Sequence, residues 1–384
     1  MNGLAKAYVG AQIHDGVDLH SQHALVRAQD GSLRILPLHG LAPDHPVERL
    51  NGGVITPGFV DLQVNGGGGV MFNDDQSVAA LRTIAQAHAS TGTQALLPTL
   101  ITDTPERTRA AIDAVEQALA EKLEGIIGIH LEGPHLSVAR KGAHDAQLIR
   151  PMGKEDLALM LGAADRIPNV MVTVAPENTT PAQIKAMSDA GIVVSLGHTE
   201  ADSATCHAAF DAGAKCVTHL FNAMSQLGNR EPGLVGATLE RDDIYAGLIA
   251  DAIHVHPAVI RIALRAKPQS DRIFLVTDAM ATAGSSIDHF LLNGRKVFRK
   301  NQRLTLENGT LAGADLVLSR ALSVMVDDVQ DDHRQAVSRA TSTPASLLPN
   351  GAGLGRITDS SRSALYFETT FSDPAVLGGH DPAR

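Results

Sequence analysis

Acidic and imidazole side chains stand at the ends of apolar runs through the middle of the chain. Five of them follow or close a run of strand length: Glu132, His198, His219, Asp251 and Asp278. An unpaired charge buried in a core costs on the order of several kcal/mol, so packing alone rarely explains such residues. Five at comparable positions indicate a functional site.

Glu132, His198 and His219 together have the composition of a metal site. One carboxylate and two imidazoles match a catalytic zinc centre, in which a further position stays open for water. Each residue taken alone is better explained as a hydrogen-bonded core group, but the three at the ends of three strands favour a metal. Asp278 is the candidate base that exchanges protons with water and leaving group. The alternative role for Asp278 is a helix N-cap.

The elements that would position these side chains alternate between strand and helix. Continuous apolar strands between helices predict a parallel sheet buried on both faces, and eight units in about 230 residues favour a TIM-like (β/α)8 barrel. A doubly wound open sheet is the alternative. In a barrel the C-terminal ends of all strands meet at one mouth. The eight runs are FVDLQV, QALLPTL, GIIGIHL, VMVTVAP, IVVSLGH, KCVTHLF, YAGLIAD and IFLVTDA.

Both ends of the chain have the pattern of short strands and turns. AYVGAQI, HALVRA and SLRILPL precede the barrel, and SALYFETTF lies near the end. We therefore predict a small β-sandwich domain formed by residues 1–54 and 345–384. The catalytic barrel would span 55–344, with a β insertion near 287–311.

Composition excludes several classes of protein. The chain has 384 residues, 44% of them hydrophobic, so it can bury a large core. Its net charge of −10 argues against nucleic acid as a partner. No run approaches the roughly 18 apolar residues of a membrane span, and the N-terminal residues lack a signal-peptide pattern. Cys206 and Cys216 cannot build a disulfide framework and fit a reducing compartment. We expect a cytoplasmic protein with no membrane partner.

Other motifs carry little chemistry. NGGGG at 65–69 lacks the Lys-Ser/Thr of a phosphate loop, and GAGLGR at 351–356 is typical of a β turn. Nothing marks either cysteine as an activated thiolate, so both are expected to be small buried residues. A G-x-S-x-G nucleophile elbow is missing from the sequence, which argues against an α/β-hydrolase.

Six blocks of sequence closely resemble the N-acetylglucosamine-6-phosphate deacetylases, a family of the metal-dependent amidohydrolase superfamily. The resemblance covers about 55–345 in order, and its LEGP, FNAM and GNREPG stretches are highly specific in combination. The blocks are PGFVDLQVNGGGG (57–69), GIHLEGPHLSVARKGAHD (128–145), SLGHTEAD (195–202), THLFNAMSQLGNREPGLVGA (218–237), GLIADAIHVHP (247–257) and LVTDAMATAG (275–284).

The resemblance implies roles for the residues already singled out and adds others. Glu132, His198 and His219 match the family's metal ligands, and Asp278 matches its acid/base aspartate. His144 resembles a catalytic and substrate-contacting histidine.

Further substrate contacts are implied along the same blocks. His254 resembles a second substrate-contacting histidine, although with His256 it could also form a second metal site. Asn222 and the Ala223 backbone resemble phosphate contacts. Arg230 resembles an arginine that reaches the phosphate of a neighbouring subunit, which implies a homodimer; a planar guanidinium suits phosphate oxygens.

The first barrel strand lacks a metal-binding pair that many amidohydrolases have. Where they carry His-x-His, this chain has Gln63-Val64-Asn65. Amides are poor ligands beside imidazole, so we predict one divalent metal ion, with Gln63 contacting the substrate instead. Zinc suits the donor set best, and Fe²⁺, Co²⁺ or Mn²⁺ would fit similar ligands.

The expected function is hydrolysis of the acetamido group of N-acetyl-D-glucosamine 6-phosphate, giving glucosamine 6-phosphate and acetate in amino-sugar catabolism. Deacetylation of the epimer N-acetylgalactosamine 6-phosphate is the alternative, since one hydroxyl separates the two sugars. A remote alternative is an inactive sugar-phosphate-binding regulator. The loop FNAMSQLGNREPG argues against a cyclic-amide hydrolase or deaminase.

Overall fold

The computed structural model describes residues 6–371 and 373–378. Its N-terminal part is built from short strands, which Gly-containing turns separate. Gly53 is needed at one of them, because its φ is +76° and a Cβ there would meet the Phe367 carbonyl oxygen at 2.1 Å. The strands are β1 (Lys6–Val9), β2 (Gln12–His14), β3 (Leu19–His20), β4 (His23–Arg27), β5 (Leu33–Pro37), β6 (Val47–Arg49) and β7 (Val54–Thr56).

Eight parallel strands follow, paired in the order in which they occur along the chain. Each of the eight predicted runs overlaps one of them, and the predicted barrel is confirmed. The strands are β8 (Phe59–Val64), β11 (Thr93–Ile101), β12 (Ile129–Glu132), β13 (Val170–Val174), β14 (Val193–Leu196), β15 (Cys216–Val217), β16 (Tyr245–Leu248) and β17 (Ile273–Leu275), with β9 (Gly66–Gly67) and β10 (Val70–Met71) forming a small hairpin after β8.

Helices cover the outside of the barrel and begin where the sequence places start signals. The Ser77 and Thr104 side chains accept hydrogen bonds from main-chain N–H groups of the first turn, and Pro105 occupies the first position of its helix. Among the described residues no helix is both long enough and apolar enough to cross a membrane. The helices are α1 (Val78–Ala89), α2 (Pro105–Ala120), α3 (Lys154–Ala164), α4 (Pro181–Asp189), α5 (Ser203–Asp211), α6 (Gly233–Glu240), α7 (Pro257–Ala266), α8 (Leu318–Ser323), α9 (His333–Ala340) and α10 (Ser342–Leu347).

A four-stranded antiparallel sheet follows the last barrel strand, where the sequence predicts a β insertion. It contains β18 (His289–Leu292), β19 (Arg295–Lys300), β20 (Arg303–Leu306) and β21 (Leu311–Ala314). Its buried face, which includes Phe290 and Val297, packs on Met71 of the hairpin after β8, on Ile101 at the end of β11 and on Met280 beyond β17. The insertion therefore lies against the mouth of the barrel.

Strands from the two ends of the chain share one sheet. β22 (Ser363–Phe367) pairs antiparallel with β7 and with β23 (Ala375–Gly378), giving the order β23-β22-β7-β2-β3. A second sheet has the order β5-β4-β1-β6. Buried side chains such as Tyr8, Ile13 and Leu33 form a separate apolar cluster here. The domain boundaries at residues 54 and 344 stay a prediction.

Candidate active site

A cavity of about 400 Å³ opens at the C-terminal ends of the barrel strands. Residues from several strand ends and from β21 form its wall. Eight residues singled out in the sequence line it: Glu132, His144, His198, His219, Asn222, Ala223, His254 and Asp278. They come from separate regions of the chain, and the barrel brings them together.

Glu132, His198 and His219 converge at the base of this cavity. The Nε2 atoms of the two histidines are 3.0 Å apart, and each lies 3.2 Å from Glu132 Oε1. All three side chains are buried. Two imidazole nitrogens and a carboxylate oxygen aimed at one point are the donor set of a metal centre, and they lie close enough together to hold an ion.

A loop carbonyl fixes the orientation of the His198 ring. His198 Nδ1 lies 2.8 Å from the Arg140 carbonyl oxygen, which can only accept a hydrogen bond. Nδ1 therefore donates to this carbonyl, and Nε2 is the ring atom that faces Glu132. This is the partner through which proteins usually orient a metal-binding histidine. The same loop is held by a second bond, from Ser137 N to the His198 carbonyl oxygen at 2.8 Å.

Several chemistry-bearing residues have left-handed backbone conformations. The φ angles are +48° at His198, +32° at His219, +50° at Ala223 and +50° at Asp278. Non-glycine residues rarely adopt this region, and such strain concentrates at functional sites. His198, His219 and Asp278 stand just after a strand ends, where the chain turns across the mouth, so the strain accompanies the redirection of their side chains into the cavity.

Amide groups from the first strand hold Asp278. Asn65 Nδ2 donates to Asp278 Oδ1 at 2.7 Å, and Gln63 Nε2 donates to the same atom at 3.2 Å. Gln63 Nε2 also lies 3.2 Å from Glu132 Oε1. The loss of solvation and then the nearby negative charge of Glu132 raise the pKa of Asp278 to about 6.

The charge of Glu132 is compensated within the cluster. Burial alone would raise the pKa of its carboxyl group, but the hydrogen bonds and charges of His198 and His219 outweigh burial and hold that pKa well below its usual value. The same carboxylate raises the pKa of His219 against the opposing effect of burial. The cluster therefore favours an anionic Glu132.

His144 and His254 flank the cavity on different loops. His144 Nδ1 lies 2.7 Å from Thr102 Oγ1, and burial followed by the charge of His198 lowers the pKa of His144 to about 3, so its imidazole is neutral. His254 Nδ1 lies 2.6 Å from Asp251 Oδ2. This contact explains Asp251, the fifth strand-end residue. His256 caps α7, with its Nδ1 accepting from Ala258 N at 3.1 Å; a second metal site that includes His254 and His256 stays a prediction.

The outer part of the cavity is more exposed. Asn222 and Ala223 line it, but Arg230 lies in an exposed loop outside the lining residues. Arg140 lines the cavity as well, and its side chain is 35% exposed and paired with Glu200. Arg140 is a lining residue that the sequence does not predict, although it lies in the block that contains Glu132 and His144.

A buried polar layer lies beneath the cluster and was also missed. His130 lies 2.7 Å from Thr173 Oγ1, and Thr173 Oγ1 lies 2.6 Å from Thr218 Oγ1, which contacts Ser195 Oγ at 2.7 Å. Burial lowers the pKa of His130 to about 4, against the opposing charge of Glu132. The layer links four neighbouring strands at the level just below Glu132, His198 and His219. Its sequence signal is a polar residue within two positions of each strand end.

Both cysteines are buried, as the sequence predicts. Burial is the main reason that the pKa values of Cys206 and Cys216 are raised to about 12. Neither can supply a thiolate at neutral pH.

Comparisons with known proteins agree with this geometry. The model of the family described as "Amidohydrolase family" matches residues 54–291. An N-acetylgalactosamine-6-phosphate deacetylase from Shewanella sp. is 41% identical over 331 residues, covering 85% of this chain and 83% of the relative. An N-acetylglucosamine-6-phosphate deacetylase from Haemophilus influenzae is 35% identical over 311 residues, covering 80% of each. The crystal structure of N-acetylglucosamine-6-phosphate deacetylase from Pasteurella multocida superposes with a TM-score of 0.90 at 33% identity, covering 98% of this chain and 100% of that one.

Proposed function

We infer the function from one premise: the chain belongs to the amidohydrolase family. We propose that it hydrolyses the acetamido group of N-acetyl-D-glucosamine 6-phosphate, releasing acetate and glucosamine 6-phosphate. The observation that carries the proposal is the convergence of Glu132, His198 and His219 on one point, in the same cavity as Asp278.

The donor set fits one divalent metal ion, for which we propose zinc. The ligand atoms of Glu132, His198 and His219 all lie within 4.8 Å of one another, and the Arg140 carbonyl already directs Nε2 of the His198 ring inward. When bound, such an ion polarises the amide carbonyl and lowers the pKa of water. Gln63 and Asn65 present N–H groups toward the carboxylates, which supports a single metal site over a pair.

Asp278 is the proposed proton carrier. Asn65 and Gln63 both donate to its Oδ1, so the amides fix the plane of the carboxylate in the cavity wall. We propose that this carboxylate takes a proton from the attacking water and then delivers it to the departing amine nitrogen, as in general acid–base catalysis by a single group. Because Asp278 holds the proton between the two steps, no separate acid is required.

The two histidines on the cavity wall are proposed to position the substrate. His144, neutral and seated against Thr102, offers a hydrogen-bonding nitrogen without adding charge beside the metal cluster. His254 is oriented by Asp251, so its other nitrogen keeps a defined direction. Imidazoles placed in this way can form hydrogen bonds with the sugar hydroxyls and the acetamido carbonyl.

The outer part of the cavity is proposed to hold the phosphate. Among the described residues that line it, Arg140 has the only permanently cationic side chain, and Asn222 and Ala223 lie on the same side of the mouth. Thr199, which precedes the Arg140 partner Glu200, forms a β-bridge with Met224 beside Ala223. We propose that Arg140 and Asn222 bind the phosphate, and that Arg230 reaches it from a second copy in a homodimer.

A specific observation also favours a second substrate. The Shewanella relative that is 41% identical to this chain is named for the galactosamine epimer. The two sugars differ at one hydroxyl, and a site that hydrogen-bonds a hydroxyl can discriminate strongly. N-Acetyl-D-galactosamine 6-phosphate is therefore the second candidate.

Acetate release tests both candidates. Purified protein with measured metal content is assayed with the gluco and galacto 6-phosphates and with both sugars lacking phosphate. The proposal expects kcat/KM to be highest for N-acetyl-D-glucosamine 6-phosphate. A higher value for the galacto epimer selects the second candidate, and equal rates with and without phosphate refute a sugar-phosphate enzyme.

A further inference from the structure

The barrel has a seam between its first and last strands. β8 and β17 are the two ends of the paired series, and no regular ladder joins them in the described structure. Near the mouth the seam is held by a bridge between Val64 and Ala279 and by a bond from Asp278 N to the Gln63 carbonyl oxygen at 3.0 Å.

Further from the mouth, a side-chain carboxylate joins the two sides of the seam in place of main-chain hydrogen bonds between strands. Asp61 is fully buried, and its Oδ2 accepts from Thr277 Oγ1 at 2.5 Å. Its Oδ1 accepts from the main-chain N–H groups of Thr277 at 3.3 Å and Gln63 at 3.2 Å. One side chain of the first strand therefore binds both the main chain and the side chain of the residue that precedes Asp278.

Asp61 contacts two residues that support Asp278, the proposed proton carrier. Thr277 is the neighbour of Asp278 in the chain, and Asp278 itself has a φ of +50°. Gln63 supplies one of the amide donors to Asp278 Oδ1. We propose that Asp61 is a positioning residue: it closes the seam and thereby holds the Asp278 carboxylate in register with the metal cluster. This inference rests on the proposed function.

A purely structural role would look different. Asp331, a partly buried acid, pairs with Arg339 at 2.8 Å, so its charge is compensated by a cation. In the part of the chain that the structure describes, no ion pair involves Asp61; its partners are two N–H groups and one hydroxyl. An uncompensated buried carboxylate is a costly way to join two strands. The free-energy cost of burying the Asp61 carboxylate is explained if the position of Asp278 depends on Asp61.

Variants at both ends of the contact test the inference. Asp61→Ala should lower kcat about 100-fold, because small misplacement of a catalytic group has effects of this order. KM should stay within about threefold, since Asp61 itself lies outside the residues that line the cavity. Thr277→Val should lower kcat, Thr277→Ser should restore it, and the Asp61→Ala/Thr277→Val double variant should be no worse than Asp61→Ala alone. Each variant should still bind one equivalent of metal.

A second measurement needs no substrate. Hydrogen exchange of the peptide spanning 273–284 should accelerate in Asp61→Ala and stay near the wild-type rate in Asp331→Asn, the matched control in which stability falls but kcat does not. Equal kcat for Asp61→Ala and wild type, or equal exchange in that peptide, would overturn the inference. If wild type releases no acetate from any sugar phosphate, the proposed function fails, and the exchange measurement alone decides the seam contact.

Discussion

The cavity has two ends that are built in different ways. The reaction end comprises Glu132, His198, His219 and Asp278. The three proposed ligands are almost fully buried, the Arg140 carbonyl holds His198, and Asn65 holds Asp278. The outer end comprises Arg140, Asn222, Ala223 and Arg230, which are half-buried or exposed.

The difference separates chemistry from recognition. The four residues of the reaction end all come from one chain. Because strand ends are rigid, these residues stay organised before substrate arrives. The outer end depends on long side chains in loops, and Arg140 is already paired with Glu200. Loops tolerate change better than strand ends do. We therefore expect relatives to vary in how they bind the phosphate more than in how they cleave the amide.

Removing the metal should have the largest effect and should act only on the reaction end. After treatment with a chelator, acetate release should fall to background, because Glu132, His198 and His219 would have no ion to hold. One equivalent of zinc should restore it. Metal analysis alongside the assay checks this; full activity without metal, or activity that requires two equivalents, contradicts it.

Replacing the proton carrier should come next in size. Asp278→Asn keeps the shape of the side chain but cannot take a proton, so kcat should fall by a factor on the order of 10³–10⁴. Metal content and KM should change little. Steady-state kinetics with metal analysis checks this, and near-normal turnover would remove Asp278 from the mechanism.

Changing Arg140 should affect the outer end alone. Arg140→Gln should raise KM for the phosphorylated sugar about 10- to 100-fold, as expected for the loss of a charge-assisted hydrogen bond. The Arg140 carbonyl stays in place, so His198 keeps its partner and kcat should change little. Arg166→Gln is the matched control, because Arg166 lies in the turn after α3, away from the cavity lining, and is also paired with carboxylates. An equal loss on the unphosphorylated sugar would mean that Arg140 does not bind phosphate.

Mixing two defective variants tests whether the outer end spans two chains. Arg230→Gln should raise KM, and Asp278→Asn should lack turnover. In a one-to-one mixture of homodimers that re-form at random, about a quarter of all sites would combine an intact Asp278 with an intact Arg230 from the other copy. Activity at low substrate should therefore rise above the sum of the separate proteins. No gain after verified subunit exchange would place Arg230 outside the neighbouring site.

The smallest expected effect is on stability at the seam. Burial is the main reason that the pKa of Asp61 is raised to about 7 in the folded protein, above its ordinary value of 3.8. The folded state thus binds this proton more tightly than the unfolded state, so this group favours folding increasingly as pH falls from 7 toward 4. Its slope is at most about 1.4 kcal/mol per pH unit. The difference between wild-type and Asp61→Asn unfolding curves at several pH values should show it; parallel curves would contradict it.

The sequence predicts the reaction end better than the outer end, for a physical reason. Glu132, His198 and His219 each stand at the end of an apolar strand, and strand ends of a barrel must meet. The position of a loop side chain such as Arg140 depends on the course of the loop backbone, which the hydrophobic periodicity of the sequence does not predict. Contacts between residues far apart in the sequence are not predicted either: Asp61 and Thr277 are 216 positions apart. His198 and Asp278 have left-handed φ angles, and the sequence does not predict this conformation because neither residue is glycine.

The two buried thiols have a practical consequence. With pKa values near 12 and no exposure, Cys206 and Cys216 should resist alkylating reagents in the folded protein. The native chain then serves as an unreactive background for site-directed labelling. A single cysteine introduced at an exposed loop position, such as Arg230→Cys, would carry a fluorophore or spin label alone, and distances between labels would report directly how two copies approach each other.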